Sequence, residues 1–119
     1  MAKNLQGRND FQNVYRKGRR YEGSFISVFV LPNQENYHRI GVTASRKAVG
    51  NAVVRNRAKR LLRESFRLNN SLLSGLHKNY DWVLNAKGRL ASCKLEPAFG
   101  ELCGIIQRVA KDESAALMR

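Results

Sequence analysis

A chain of 119 residues with 43% hydrophobic residues has the length of one ordinary domain with one hydrophobic core, so we predict a single domain over residues 1–119. Its 22 lysines and arginines against 9 acidic residues give a formal net charge of +13, which points to a polyanionic partner, either a nucleic acid or an anionic membrane. No apolar run approaches the roughly 20 residues of a spanning helix and the first residues lack the apolar core of a signal peptide, so we expect a cytoplasmic protein that binds nucleic acid and no membrane.

The first predicted element is a short helix within the sequence RNDFQNVYRKG, residues 8–18. Phe11, Val14 and Tyr15 recur at the spacing of one helix face, and Gly18 suits the position just after a helix end. The apolar side of this helix therefore carries two aromatic rings.

Three later segments predict β-strands, because they are rich in β-branched and aromatic residues and are bounded by turn residues. They span Ser24–Leu31, Arg39–Ser45 and Asp81–Lys87. A last helix is predicted to start near Pro97 and to bury one apolar stripe as far as Val109. The order helix, two strands, helix, strand, helix predicts an α+β domain with helices packed against a small sheet.

The first predicted strand is apolar on both faces. Alternation along the strand places Ile26, Val28 and Val30 on one face. The same alternation places Phe25 and Phe29 on the other. Only one face can lie on the main core, and we expect the aliphatic face to pack under the helices.

The segment Asn51–Arg67, NAVVRNRAKRLLRESFR, predicts an amphipathic helix of unusual charge. On a helical wheel, small and apolar side chains form one arc: Val54, Ala58, Leu61, Leu62 and Ser65. The other side is a cationic stripe with one amide and two basic flanks: Asn56, Arg57, Lys59, Arg60, Arg63 and Arg67. Arg55 falls between the arc and the stripe, so we expect it to border the sheet.

A solvated surface helix is the alternative interpretation of this stripe. Like charges four residues apart cost roughly 0.2–0.5 kcal/mol per pair, and Glu64 is the only acid in the segment. A helix needed only for folding gains nothing from that arrangement, whereas the planar arginine fork matches phosphate geometry. Arg46 and Lys47, just before the helix, extend the basic surface. The stripe therefore predicts contact with a nucleic acid backbone.

The sequence offers little for catalysis or metal binding. Cys93 and Cys103 form no disulfide framework or zinc pattern, and His38 and His77 are isolated in polar sequence. We find no carboxylate cluster for two-metal hydrolysis and no spaced histidine pair for acid–base cleavage. We therefore predict no catalytic and no metal-binding residue in the protein itself.

The pattern VVRNRAKRLLRE, preceded by the strand RIGVTAS and the basic pair RK, resembles the arginine-rich signature of the bacterial ribonuclease P protein subunit. DFQNVYRKG is similar to the N-terminal element F-x-x-V-[FY]-x-x-G of that family, and YDWVLNAK is similar to its later strand D-x-x-x-x-A-[KR]. The resemblance covers most of the chain from Arg8 to Val109. One departure is the link from Ala48 to Asn51, which is a residue longer than in members that read S-K-K-x-G-N.

The resemblance implies a small α/β sandwich with about four strands and three helices, and a left-handed β-α-β crossover that contains the basic helix. It also implies the protein subunit of an endoribonuclease that removes the 5′ leader from precursor tRNA. In that family a catalytic RNA and its Mg²⁺ ions perform the hydrolysis, so Mg²⁺ is expected in the holoenzyme and mainly on the RNA. The implied partners are this RNA and precursor tRNA, and the protein alone is expected to be monomeric.

The resemblance also implies two sets of site residues. The basic turn and helix would contact RNA through Arg46, Lys47, Arg55, Asn56, Arg57, Lys59, Arg60, Arg63 and Arg67. A cleft lined by Phe11, Tyr15 and Phe29 would hold the leader, since aromatic rings stack on single-stranded bases without demanding a sequence. The alternative is that the aromatic residues belong to the core, as we expect for Phe25, Phe66 and Trp82.

Two other classes of function remain open at this point. A ribosomal or other structural RNA-binding protein would use the basic helix only as an anchor and would not stimulate processing. A DNA-binding helix-turn-helix protein is less favoured, because the segment before Asn51 is strand-like.

Overall fold

The computed structural model describes residues 2–118 and shows a five-stranded sheet with helices on both of its faces. The strands in chain order are β1 (Lys3–Asn4), β2 (Arg19–Glu22), β3 (Ile26–Pro32), β4 (Arg39–Thr43) and β5 (Tyr80–Ala86). The helices are α1 (Gly7–Lys17), α2 (Arg46–Val49), α3 (Ala52–Leu68), α4 (Asn70–Ser74) and α5 (Leu95–Leu117), with a 3₁₀ helix at Gly88–Ser92.

The sheet order β1-β4-β5-β3-β2 confirms an α+β architecture. The three strands predicted from the sequence are β3, β4 and β5, and the three predicted helices are α1, α3 and α5. The sheet has one strand more than the roughly four expected, and the short helices α2 and α4 are additional to the about three helices expected. β1 and β2 lie on the edges of the sheet, and their mostly charged or polar side chains give no alternating apolar pattern.

The crossover between β4 and β5 positions the basic helix. These two strands are parallel neighbours, and the chain passes from one to the other through α2, α3 and α4. A parallel pair needs a long connection of this kind, usually a helix. The left-handed sense of the crossover stays a prediction from the family resemblance.

The larger core lies between the sheet and the helices α3 and α5. Ile26, Val28 and Val30 are buried there, as the alternation in β3 predicted. Trp82 of β5 is fully buried in the same cluster, and its ring meets that of Phe66 edge to face at a centroid distance of 5.7 Å. The prediction that these two aromatic residues belong to the core is confirmed.

Phe25 does not share the face of Phe29, although simple alternation places both on the same side. β3 begins at Ile26, so Phe25 precedes the strand and packs against the larger core, partly buried. The guanidinium of Arg89 covers its ring at 5.3 Å from the centroid. Phe29 instead packs in a smaller cluster on the opposite face of the sheet, under α1.

His38 is a structural histidine at the junction of three segments. Its Nδ1 accepts the backbone N–H of Tyr80 at 3.0 Å and the indole N–H of Trp82 at 3.2 Å. Its Nε2 lies 3.1 Å from the carbonyl oxygen of Leu73, to which it donates. Burial lowers the pKa of His38 below its ordinary value of 6.5, so the neutral ring with hydrogen on Nε2 is favoured.

We expect the free energy of unfolding to fall as the pH drops from about 6.5 to 5.5, by at most about 1 kcal/mol, the limit that linkage sets for one group with an unfolded-state pKa of 6.5. The unfolded chain takes up a proton on His38 near its ordinary pKa of 6.5, while the folded chain resists protonation. The stability from His38 is therefore present above that pH and is lost as the pH falls through the lowered pKa of the folded state. Urea unfolding across this range measures the slope.

The matched control for this prediction is the exposed His77. His38→Gln should flatten the pH dependence in this range, whereas His77→Gln should leave it unchanged. An unchanged slope in the His38 variant would contradict the assignment.

Candidate RNA-binding site

Two short capping motifs set the start of the basic helix. Ser45 caps α2 by accepting the backbone N–H of Ala48 at 3.1 Å. Gly50 then adopts a φ of +125°, which non-glycine residues rarely reach, and ends this single turn. Asn51 caps α3 by accepting the backbone N–H of Val54 at 3.0 Å. The link to α3 thus forms a separate helical turn.

The two sides of α3 agree with the helical wheel. Ala58, Leu62, Ser65 and Phe66 are buried, while Val54 and Leu61 are half-buried beside them. The opposite side, which we call the α3 cationic face, is exposed and consists of Asn56, Arg60, Arg63 and Arg67. The wheel omitted Phe66 from the packing side, and otherwise its division is confirmed.

The arginines of the α3 cationic face differ in how their charge is used. Arg67 forms a short bidentate ion pair with Glu64, one turn earlier, so much of its charge is compensated. Within residues 2–118, neither Arg60 nor Arg63 forms an ion pair or a side-chain hydrogen bond. These two guanidinium groups are therefore the most available to phosphate oxygens.

Arg57 has a structural contact that the sequence pattern did not reveal. Its guanidinium donates to the carbonyl oxygens of Ala91 at 2.7 Å and Cys93 at 3.0 Å. These contacts hold α3 against the last turn of the 3₁₀ helix and the residue that follows it. The remaining donors of Arg57 are still on an exposed residue, so contact with RNA stays a prediction for it.

Arg55 and Lys59 lie one turn apart at the border of α3, and both are half-buried. This agrees with the wheel position of Arg55 between the packing side and the cationic side. The Nε of Arg55 is buried and has no hydrogen-bond acceptor among residues 2–118. Buried donors are nearly always paired in folded proteins, so this Nε is an exception that the described part of the protein leaves unsatisfied, while contact of the rest of the Arg55 guanidinium with RNA stays a prediction.

Arg46 and Lys47 form the exposed start of α2, directly after the C-terminal end of β4. β5 is parallel to β4, so the C-terminal ends of both strands lie at the same end of the sheet, where the 3₁₀ helix follows β5. Lys87 and Arg89 therefore lie at this end of the sheet too, although no role was predicted for them from the sequence. Their proximity to α2 depends on the parallel pairing, which the sequence alone did not specify.

The structure brings Phe11, Tyr15 and Phe29 together on the α1 side of the sheet, and we call this group the aromatic cleft. The rings of Tyr15 and Phe29 meet edge to face at a centroid distance of 4.9 Å. Phe11 and Phe29 are half-buried, whereas Tyr15 is 39% exposed. Phe11 lies directly on Gly41, where an added Cβ would come within 2.3 Å of its ring.

The cleft of aromatic rings continues into polar side chains on the same face of the sheet. The hydroxyl of Tyr15 donates to Oδ1 of Asn85 at 2.8 Å, and Thr43 donates to the same oxygen. Arg20 of β2 lies opposite Phe29, with its guanidinium 5.7 Å from the ring centroid. Sequence reasoning missed these polar residues, because only the strand register places them next to the aromatic rings.

No group of three or more His, Cys, Asp or Glu side chains that could hold a metal ion occurs within residues 2–118. Over the same part of the chain, no helix is both long enough and apolar enough to cross a membrane.

The sheet, its crossover helix and the exposed arginines define an α+β protein with a cationic surface suited to a polyanion. The family model described as Ribonuclease P matches residues 1–110. The Ribonuclease P protein component of Clostridium botulinum (strain Langeland) is 40% identical over 83 residues, which cover 70% of this chain and 72% of that protein. The chain therefore belongs to the ribonuclease P protein family.

Solved structures of this family show the same fold. The RNase P protein of Staphylococcus aureus is similar with a TM-score of 0.75 and 28% identity, over 93% of this chain and 97% of that one. The RNase P protein from Thermotoga maritima is similar with a TM-score of 0.77 and 26% identity, over 89% and 96% of the two chains.

Proposed function

We propose that this chain is the protein subunit of a cytoplasmic ribonuclease P, in which it binds the catalytic RNA and the 5′ leader of precursor tRNA. The family membership supports the assignment to ribonuclease P. The observation that carries RNA binding is the α3 cationic face, where Arg60 and Arg63 form no ion pair within residues 2–118. Guanidinium groups in that state match phosphate oxygens in geometry and charge.

The contribution of the protein in this proposal is electrostatic and positional. Cations on α3 and α2 reduce the phosphate repulsion between the catalytic RNA and the precursor tRNA. The aromatic cleft holds the single-stranded leader, which the mature product lacks, so the subunit favours binding of substrate over product. The RNA and its Mg²⁺ ions supply the hydrolytic chemistry.

Reconstitution of precursor cleavage tests the proposed function. We expect the protein to increase cleavage by the catalytic RNA of the same organism at low Mg²⁺, since protein cations replace part of the screening by metal ions. The measurement compares initial cleavage rates with and without the protein over a Mg²⁺ series. A structural RNA-binding protein would bind RNA without increasing the cleavage rate. Binding without a faster cleavage rate would therefore refute the proposal.

The exposed ring of the aromatic cleft gives a prediction for the leader. In the holoenzyme, Tyr15→Ala should weaken binding of precursor tRNA by about 1–3 kcal/mol, which corresponds to a loss of one stacked base. Binding of mature tRNA should change little, because it has no leader. Equilibrium binding of both tRNAs to the same holoenzyme measures this difference.

Tyr15→Phe is the matched control, since it keeps the ring and removes only the hydrogen bond to Asn85. We expect it to retain most of the affinity for precursor tRNA. Equal losses for precursor and mature tRNA in the alanine variant would remove the aromatic cleft from the leader contact.

A DNA-binding helix-turn-helix is not supported by the elements before α3. Arg39–Thr43 is a strand of the sheet, and α2 is a single turn of four residues rather than a supporting helix.

A further inference from the structure

A second cluster of basic residues lies at the edge of the sheet formed by β2. It surrounds the buried Tyr21, whose hydroxyl donates to Asp112 of α5 at 2.6 Å. Two guanidinium groups cover the same ring, that of Arg108 at 5.2 Å and that of Arg19 at 5.9 Å from its centroid. We call this surface the Tyr21 patch, and its cations are Arg19, Arg20, Arg108 and Lys111.

The charge of the Tyr21 patch is not balanced within the protein. Arg20 is paired with Glu22 at 2.6 Å, so it adds little net charge. Asp112 accepts from Tyr21 and lies 3.5 Å from Arg19, which is a loose ion pair. Within residues 2–118, Arg108 and Lys111 have no ion-pair partner.

Tyr21 cannot supply the missing negative charge. Burial, together with the hydrogen bond from its hydroxyl to Asp112, raises the pKa of Tyr21 to about 12. The phenol is therefore neutral at ordinary pH, and Asp112 is the only acid that lines the Tyr21 patch within residues 2–118, beside Arg19, Arg108 and Lys111.

Protection of the edge strand β2 against pairing with other chains would explain only some of the cations in the Tyr21 patch. Charged side chains on an edge strand discourage pairing with other chains, and Arg19 and Arg20 suit that role on β2. Arg108 and Lys111 are on α5, three residues apart and on one side of the helix. Arg108 reaches β2 only through one long hydrogen bond, 3.5 Å to the carbonyl oxygen of Glu22, and Lys111 makes no hydrogen bond to the strand within residues 2–118. The four cations instead line one depression of about 400 Å³ between β2 and α5.

We propose that the Tyr21 patch is a second contact site for RNA backbone phosphates, separated from α3 by α5. This inference rests on the proposed function, since it takes RNA as the partner. Arginine and lysine groups around a depression of this size fit one or two phosphates. A protein partner is less favoured, because the centre of a protein interface is apolar and the one aromatic ring here is buried. RNA would then contact the protein on both sides of α5.

Charge removal on the full chain tests the second site. The variant Arg108→Gln with Lys111→Gln should reduce the slope of log binding constant against log salt by about 1.5, since each phosphate contact adds about 0.7–0.9. The matched control, Lys3→Gln with Lys78→Gln, removes the same charge at exposed positions away from the patch. The probe is the catalytic ribonuclease P RNA of the same organism, and thermal unfolding checks each variant.

The variant Arg60→Gln with Arg63→Gln separates failure of this inference from failure of the proposed function. If the slope of log binding constant against log salt falls for the α3 variant but not for the Tyr21 patch variant, only the second site is overturned. Unchanged slopes in both variants would overturn RNA binding through α3 as well.

A measurement on the unmodified protein does not depend on the folding of variants. We expect bound RNA to protect Lys111 from acetylation more than tenfold relative to the free protein, while Lys78 stays reactive, as mass spectrometry can quantify. Equal reactivity of Lys111 in the free protein and in the complex would overturn the second site.

Discussion

Replacing Glu101 with glutamine should lower the free energy of unfolding by about 3 kcal/mol. Hydrogen bonds to a charged group stabilise a protein more than hydrogen bonds between neutral groups, and a buried N–H group left without an acceptor is costly. The carboxylate of Glu101 on α5 accepts three backbone N–H groups at the start of β3. The donors are Ser24 at 2.6 Å, Phe25 at 2.8 Å and Ile26 at 2.8 Å. The side-chain amide of a glutamine at position 101 would place its NH₂ group against one or more of these backbone N–H groups, where two donors face each other and no hydrogen bond forms.

Chemical denaturation and thermal unfolding check this prediction. For a domain of this length, the loss corresponds to a decrease in Tm of about 10 °C. Glu96→Gln is the matched control, since it removes the same charge from an exposed position in the first turn of α5. Similar stability losses in the two variants would show that the charge of α5 matters and that the carboxylate contacts at β3 do not.

The second large effect is expected on RNA affinity. The variant Arg60→Gln with Arg63→Gln should weaken binding of the catalytic RNA roughly 10- to 30-fold at about 0.15 M salt, because each phosphate contact contributes a factor of about four to five there. Glutamine keeps the helix propensity and the aliphatic stem, so α3 should remain folded. Fluorescence anisotropy over a range of salt concentrations measures both the affinity and its slope.

The charge-matched variant Lys3→Gln with Lys78→Gln again serves as the control. It should lose only a few-fold in affinity and keep the salt slope. If it weakened binding as much as the α3 variant, then net charge alone would explain RNA binding and the α3 cationic face would have no special role.

Local patterns in the sequence were sufficient for much of the fold. The two sides of α3 follow from a period of 3.6 residues, and the aliphatic face of β3 follows from a period of two. Both patterns involve residues close in the chain, and the structure confirms them. Phe25 shows the limit of this reasoning, because its side depends on where β3 begins.

Contacts between distant residues could not be predicted in the same way. Arg57 reaches Ala91 and Cys93, and Tyr15 reaches Asn85, only after the sheet and helices have assembled. β2 was missed for a related reason, since it has one apolar residue and is recognised by its pairing with β3. The sequence therefore predicted the site residues on α3 and the three aromatic residues. The positions of Arg20, Thr43 and Asn85 beside the aromatic rings depend on the register of the strands, which the sequence did not reveal.

The contacts of Arg57 with the carbonyl oxygens of Ala91 and Cys93 have a consequence for the thermodynamics of RNA binding. Since both carbonyl contacts exist in the protein alone, α3 is held in place before any RNA arrives. A flexible arginine-rich peptide loses conformational entropy when it orders on RNA, and that loss weakens its affinity. Here the guanidinium groups of α3 are preorganised by the fold, so most of their electrostatic attraction remains available for association.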